Sequence, residues 1–169
     1  ERGVALVLGD NTFLVAATDG AGNVQLLTMT VKRLPQPDLT MAAVSGPASA
    51  GTGKTITVSD AVSASATGGH AGSFSVGIYL STDNVITTAD TMIGSRTVTS
   101  LASGASSAAN SVITVPTSVA PGAYYLGVIA DYGNTVKESD ETNNSTWVDV
   151  QLETSAWPPR VKVLGVAPR

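Results

Sequence analysis

No cysteine occurs anywhere in the 169 residues. Disulfide staples, thiolate catalysis and cysteine-based zinc sites are therefore excluded. Histidine occurs once, at His70 in the Gly-rich stretch "GGHAG", with no nucleophile motif beside it. Charge is sparse as well: 13% of residues are charged, against a usual share of about 25%. Nine Lys and Arg are scattered among thirteen Asp and Glu, for a net charge of −4. No basic stripe exists to neutralise a phosphate backbone, so nucleic acid is not an expected partner. No apolar run approaches the roughly 18 residues of a membrane-spanning helix. Aromatic residues make up only 5%.

What remains is a chain that is 43% apolar and carried by Ala, Gly, Ser, Thr and Val. Small and β-branched side chains suit strands and tight turns better than long amphipathic helices. The patterning agrees, because its period is two rather than 3.6. Seven strand-like runs follow one another from residue 38: "DLTMAAV" (38–44), "KTITVSDAV" (54–62), "SFSVGIYLS" (73–81), "TMIGSRTV" (91–98), "SAANSVITV" (107–115), "AYYLGVIAD" (123–131) and "STWVDVQL" (145–152). Gly, Pro, Ser and Asn clusters separate them. Seven short strands without a credible helix predict an antiparallel two-sheet sandwich.

Ahead of this block, "NTFLVAAT" and "VQLLTMTVK" flank the turn-forming "TDGAGN" (18–23) and read as a hairpin. Alternation puts Phe13 and Val15 on one face of the first strand and Leu27, Met29 and Val31 on one face of the second. "GVALVLG" (3–9) offers one more short strand. A lone hairpin cannot cover an apolar face, so residues 1–34 are expected to be the tail end of another domain. "RLPQPD" contains Pro35 and Pro37, each lacking a backbone donor, and residues 35–37 are read as a linker. The sandwich then spans 38–153. Residues 154–169 form a Pro-containing tail, "AWPPR" followed by a strand-like "VKVLGV". Residue 1 is Glu and no leader is recognisable, which reads as a chain cut from something longer.

"SAGTGKT" (49–55) imitates a phosphate-binding loop. The strict pattern needs Gly five residues before the Gly-Lys-Thr, and that position is Ala48. The mechanism also needs a helix opening at the Lys, whose amides would hold the phosphates. "TITVSDAVSAS" follows instead, β-branched and alternating. The segment is read as a loop between two strands.

"DYGNTVKESDETNN" (131–144) carries a resemblance, together with "GIYLSTDNVITTADTMIGS" (77–95), "LASGAS" (101–106) and "VPTSVAPGAYYLGVIAD" (115–131). Over roughly residues 37–153 the chain resembles the CARDB family, the cell-adhesion-related domain found in bacteria. The resemblance implies a seven-stranded immunoglobulin-like sandwich, seldom catalytic, in large secreted or surface proteins of bacteria and archaea. Residues 6–32 look like the closing strands of another bacterial immunoglobulin-like domain.

Candidate sites are few. Glu138, Asp140 and Glu141 could supply paired carboxylates, yet three acids within four residues of a loop do not make a cleft, and no catalysis is expected. The 131–144 segment has oxygen ligands enough for calcium: Asp131, Asn134, Glu138, Asp140, Glu141, Asn143 and Asn144. Their spacing is not that of an EF-hand, and such residues commonly set turns. Asp83 and Asp90 are read in the same way. No cofactor is expected, with calcium kept as the alternative. In an immunoglobulin-like sandwich three strands place Tyr79, Tyr125 and Trp147 on one outer face, opposite an inward set that includes Ile78, Leu80, Leu126, Val128, Val148 and Val150. That row serves either as a contact surface or as a cross-strand stack.

The expectation is therefore a non-catalytic extracellular spacer or protein-contact module of a larger surface or secreted protein. One alternative is a fibre or surface-layer subunit, in which Phe13, Val15, Leu27, Met29 and Val31 complete a neighbour by strand addition. Another is a polysaccharide-binding module using the aromatic face.

Overall fold

The computed structural model describes residues 3–154. The expected strand in "VKVLGV" and the "AWPPR" stretch lie outside the described residues. Within them the protein is all-β, with ten strands and no helix.

Strands β1 (Gly9–Thr18) and β2 (Val24–Arg33) form the expected antiparallel hairpin. Its turn is built on Asp19, whose Oδ1 accepts the N–H groups of Ala21 and Asn23 while its Oδ2 accepts Asn23 Nδ2. Gly22 takes φ +85°, a left-handed conformation that favours glycine. "GVALVLG" does not form its expected strand, which begins only at Gly9. The Asn11 side chain instead bonds both the N–H and the C=O of Val7, so an amide side chain replaces a ladder partner.

The remaining eight strands are β3 (Leu39–Ser45), β4 (Ser49–Gly51), β5 (Thr55–Ala64), β6 (Phe74–Ser81), β7 (Thr91–Val98), β8 (Ser106–Thr114), β9 (Gly122–Ile129) and β10 (Ser145–Glu153). They make two sheets, ordered β3-β5-β8 and β4-β10-β9-β6-β7. All neighbours are antiparallel except β4, a three-residue strand that runs parallel to the end of β10. Alternating residues fill the space between the sheets: Leu39, Val58, Val62, Val76, Ile78, Leu80, Leu126, Val128, Val150 and Leu152 are all buried.

One partly buried ion pair joins the two sheets beside this core. Asp60 on β5 and Arg96 on β7 meet through two guanidinium nitrogens, with Arg96 Nε 2.8 Å from Asp60 Oδ1. Arg96 also donates to the Ser107 carbonyl on β8 at 3.0 Å. The carboxylate side chain is fully buried, so the pair ties together the two sheets where β7 approaches β8.

The "SAGTGKT" segment forms β4 and the turn into β5. Gly53 N–H donates to the Val115 carbonyl and Val115 N–H to that of Lys54. The backbone amides face sheet partners, and no helix follows Lys54.

Pro35–Pro37 does not dangle. The carbonyls of Gln36, Pro37 and Asp38 accept hydrogen bonds from the N–H groups of Gly69, Ser139 and Ser65. A Cβ at Gly69 would collide with the Pro35 carbonyl. The chain thus enters the sandwich along a fixed path, at the end that carries residues 131–144. It leaves β10 at the other end, nine residues or about 30 Å away at ~3.3 Å per residue.

Candidate functional site

Three regions hold the residues singled out from sequence. The first is the outer face of the larger sheet. Tyr79, Gly127 and Trp147 stand side by side across β6, β9 and β10, with Tyr125 one row further along beside Asp149. The expected face is right for all three aromatics, but the expected exposed row is not formed. Tyr79 is buried at 2% exposure. The 82–90 connection folds back over the sheet and seats Ile86 above Gly127, where a Cβ would clash with the Ile86 side chain. Tyr132 covers Tyr79 from the other side, edge-on with ring centroids 6.4 Å apart. Gly77 supplies the room: a Cβ there would lie 2.6 Å from the Tyr79 ring and 2.9 Å from that of Tyr132. Only Tyr125 and Trp147 remain accessible, Trp147 at 38%. Their rings meet edge to face at 4.7 Å and 84°, the geometry of a stabilising aromatic pair.

Asp83 and Asp90 shape the covering loop. Asp83 Oδ1 accepts Val85 N–H at 2.9 Å, and Asp90 Oδ2 accepts both the N–H and the hydroxyl of Thr87.

The second region is the acidic connection 131–144. Asp131 and Asn134 take positive φ, 44° and 48°, and Asp131 receives Thr135 Oγ1 and Val136 N–H on its two oxygens. Asp140 Oδ1 caps its own turn by accepting the N–H and hydroxyl of Thr142. Glu138 turns inward instead, to 6% exposure. Its Oε2 accepts Leu39 N–H at 2.5 Å and its Oε1 accepts Asn144 Nδ2 at 3.0 Å. Burial pushes the carboxyl up to about 7, against the lowering effect of those two hydrogen bonds. Asn143 Nδ2 donates to Asp38 Oδ1 at 2.9 Å. Sequence reasoning named the acidic and amide residues of 131–144 as oxygen-bearing, but not Asp38, Thr135 or Thr142. It missed that Glu138 and Asn144 are buried, and that Glu138, held by Asn144 Nδ2, accepts the N–H of Leu39 at the start of β3, a contact with no local signature.

The third region is the hairpin. Pairing sets Phe13 opposite Met29, Val15 opposite Leu27 and Asn11 opposite Val31. The five named side chains therefore share one face. Val15, Leu27 and Met29 are 45%, 64% and 46% exposed. The other face pairs Thr12 with Thr30 and Leu14 with Thr28, and also carries Val24 and Leu26, so exposed apolar side chains occupy both faces. The two strands pack on one another and make no substantial contact with those of the sandwich.

His70 is exposed. Among the described residues no three or more His, Asp or Glu side chains are grouped so as to hold a metal ion, and no helix is long and apolar enough to cross a membrane. Glu138 is occupied in holding the Leu39 N–H, while Asp140 caps its own turn.

The CARDB family model matches residues 36–147. The crystal structure of the CARDB domain of a Pyrococcus furiosus protein, in complex with di-metal ions, is similar at 26% identity. That match covers 71% of this chain and 91% of the domain, with a TM-score of 0.53. The solution NMR structure of the Pyrococcus CARDB domain matches at 25% identity over 70% of this chain and 97% of that one, again with a TM-score of 0.53. Among curated proteins none matches.

Proposed function

The chain belongs to the CARDB family over residues 36–147, and on that premise we propose that it is a non-catalytic structural and adhesion module of a larger extracellular protein from a bacterium or archaeon. CARDB domains are in general not enzymes. The sandwich acts as a stiff bead that spaces its neighbours, and its partners are proteins: adjoining domains or subunits. A polysaccharide partner gains little support, because only Tyr125 and Trp147 of the aromatic row are accessible. The spacing role requires no cofactor; a bound metal, such as the di-metal ions in the structure of the Pyrococcus relative, is compatible with it.

The observation that carries the reading is the contrast between the two parts. The sandwich closes its own core, while the hairpin places Phe13, Val15, Leu27, Met29 and Val31 on a single face, where Val15, Leu27 and Met29 are exposed and, among the described residues, no sandwich strand makes substantial contact with β1 or β2. Full burial of such a side chain is worth about 1.5–3 kcal/mol, enough for a handful to hold a partner after association costs. That observation also supports a second reading, in which the hairpin joins the sheet of another copy and the chain is a fibre or surface-layer subunit.

Sedimentation velocity over a wide concentration range separates the two. Growth into dimers or longer species, lost in a Val15→Ser/Leu27→Ser variant, establishes the assembly subunit. A monomer at every concentration removes self-assembly and leaves the spacer whose hairpin meets a different protein.

A further inference from the structure

We propose that the free edge of β8 is a self-association surface, through which two copies of this chain pair antiparallel about a two-fold axis at Asn110. Each sheet of the sandwich has two edges, and three of the four are guarded. β3 carries a bulge between Met41 and Ala43. β7 has an extra residue, Ile93, opposite the Ile78/Tyr79 step and bears Arg96. β4 is only three residues long, and β10 beyond it carries Asp149 and packs against β3. Bulges, charges and short length are the usual devices that stop an edge from pairing with another chain. β8 has none of them. It runs for nine residues, pairs with β5 at every position without a shift, and contains no charge, Pro or Gly. Indeed no charged residue occurs between Arg96 and Asp131.

The hydrogen-bond phase shows which backbone groups are free. Gly53 N–H donates to the Val115 carbonyl, Val115 N–H to that of Lys54, and Ala64 N–H to that of Ala105. Val115 and Ala105 thus turn toward β5. Direction alternates along a strand of an antiparallel pair, so the odd-numbered residues between them do the same. Arg96 reaches one of these, Ser107, on a carbonyl already turned inward to the sheet. Ser106, Ala108, Asn110, Val112 and Thr114 turn their N–H and C=O groups the other way, where no strand lies among the described residues. All five side chains are exposed, Val112 at 74%.

A second copy supplies what this edge requires. Antiparallel pairing centred on Asn110 sets Ser106 opposite Thr114, Ala108 opposite Val112 and Asn110 opposite itself. All five residues with free backbone groups then bond at once. Hydroxyl meets hydroxyl, amide meets amide, and the branched Val112 meets the smallest side chain of the set, combinations that stabilise cross-strand pairs. No like charges meet, because there are none. The product is one continuous sheet, β3-β5-β8 joined to β8-β5-β3. A single strand pair buries less than the roughly 800 Å² per partner of a standard stable interface, so the dimer is weak.

The antiparallel arrangement has a functional consequence, which rests on the adhesion reading above. Each copy's entry end lies beside the other's exit end, so the joined chains run in opposite directions. That is the geometry of contact between two facing surfaces, not of a side-by-side array on one. The pairing itself is independent of the hairpin.

Sedimentation velocity on the whole chain carrying Val15→Ser/Leu27→Ser, which silences the hairpin, tests the pairing. The expected result is a monomer–dimer equilibrium on raising the concentration from micromolar to about millimolar, the range of weak complexes. Asn110→Lys sets two like charges face to face at the axis and should weaken the dimer by at least about tenfold. An equimolar mixture of Asn110→Lys and Asn110→Glu chains should form a heterodimer tighter than either variant alone. A monomer throughout overturns the proposal, as does a dimer that Asn110→Lys leaves unchanged or a mixture that shows no recovery. Assembly seen in the wild-type chain but absent in Val15→Ser/Leu27→Ser also overturns it, while leaving the hairpin reading in place.

Discussion

Asp60 and Glu138 are both buried acids, and their surroundings give them opposite consequences. Asp60 has a guanidinium: Arg96 meets it bidentately across the open side of the sandwich. Removing one partner of such a pair strands the other, at a cost of about 3–5 kcal/mol. Arg96→Ala should lower unfolding stability by that amount in a urea titration, and replacing Asp60 and Arg96 together by apolar residues should cost less than Arg96→Ala alone. Glu138 has only neutral donors, Leu39 N–H and Asn144 Nδ2. Its carboxyl is raised from its ordinary 4.5 to about 7, with burial the largest cause. A raised folded-state value means the proton is held more tightly in the folded than in the unfolded chain. The associated stability is full below about pH 4.5 and is lost as pH rises through about 7. Thermal unfolding should show a fall of up to about 3 kcal/mol over that window, since one pKa unit is worth about 1.36 kcal/mol. Glu138→Gln should flatten the fall relative to wild type; an unchanged profile in the variant would assign the pH dependence elsewhere.

Elements were legible from the sequence wherever alternation alone decides them. Each of the seven runs from residue 38 became a strand, and the inward sets, such as Val76, Ile78 and Leu80, are buried together. Period two tells which face a side chain occupies, but not what later covers that face. Tyr79 shows the difference, since it stands on the outer face and is nevertheless buried under Tyr132 and beside Ile86. The short β4 was illegible for a related reason: "SAG" carries no strand signal, and its parallel partner lies at the far end of the chain. Gly77 and Gly127 were the available clue, because glycines within otherwise β-branched strands mark a close approach by another part of the chain. Gly127→Ala forces a Cβ into Ile86 and should destabilise by about 1–3 kcal/mol. Adding Ile86→Ala should recover much of that loss, a coupling that a double-mutant cycle in urea measures. Additive effects would mean that Ile86 does not rest on Gly127.

At the scale of the whole molecule, the sequence located the acidic oxygen-rich segment but not its partner strand. Glu138 and Leu39 lie far apart in the chain and meet only because β3 and the 131–144 connection share one end of the sandwich. The geometry of that end governs function in the proposed account. Entry there and exit about 30 Å away along β10 suit a spacer, and hydrogen bonds from Gly69, Ser139 and Ser65 pin the Pro35–Pro37 entry path. The central claim is a self-sufficient sandwich with a hairpin whose apolar face is free to meet a partner. Hydrogen–deuterium exchange on the dilute whole chain tests it most directly. The account predicts slow exchange in β5, β6, β9 and β10 and early exchange throughout Phe13–Thr18 and Val24–Val31, because a lone hairpin is only marginally protected. Hairpin amides as slow as those of the sandwich in a monomeric sample would contradict it, since the apolar face would then already be covered.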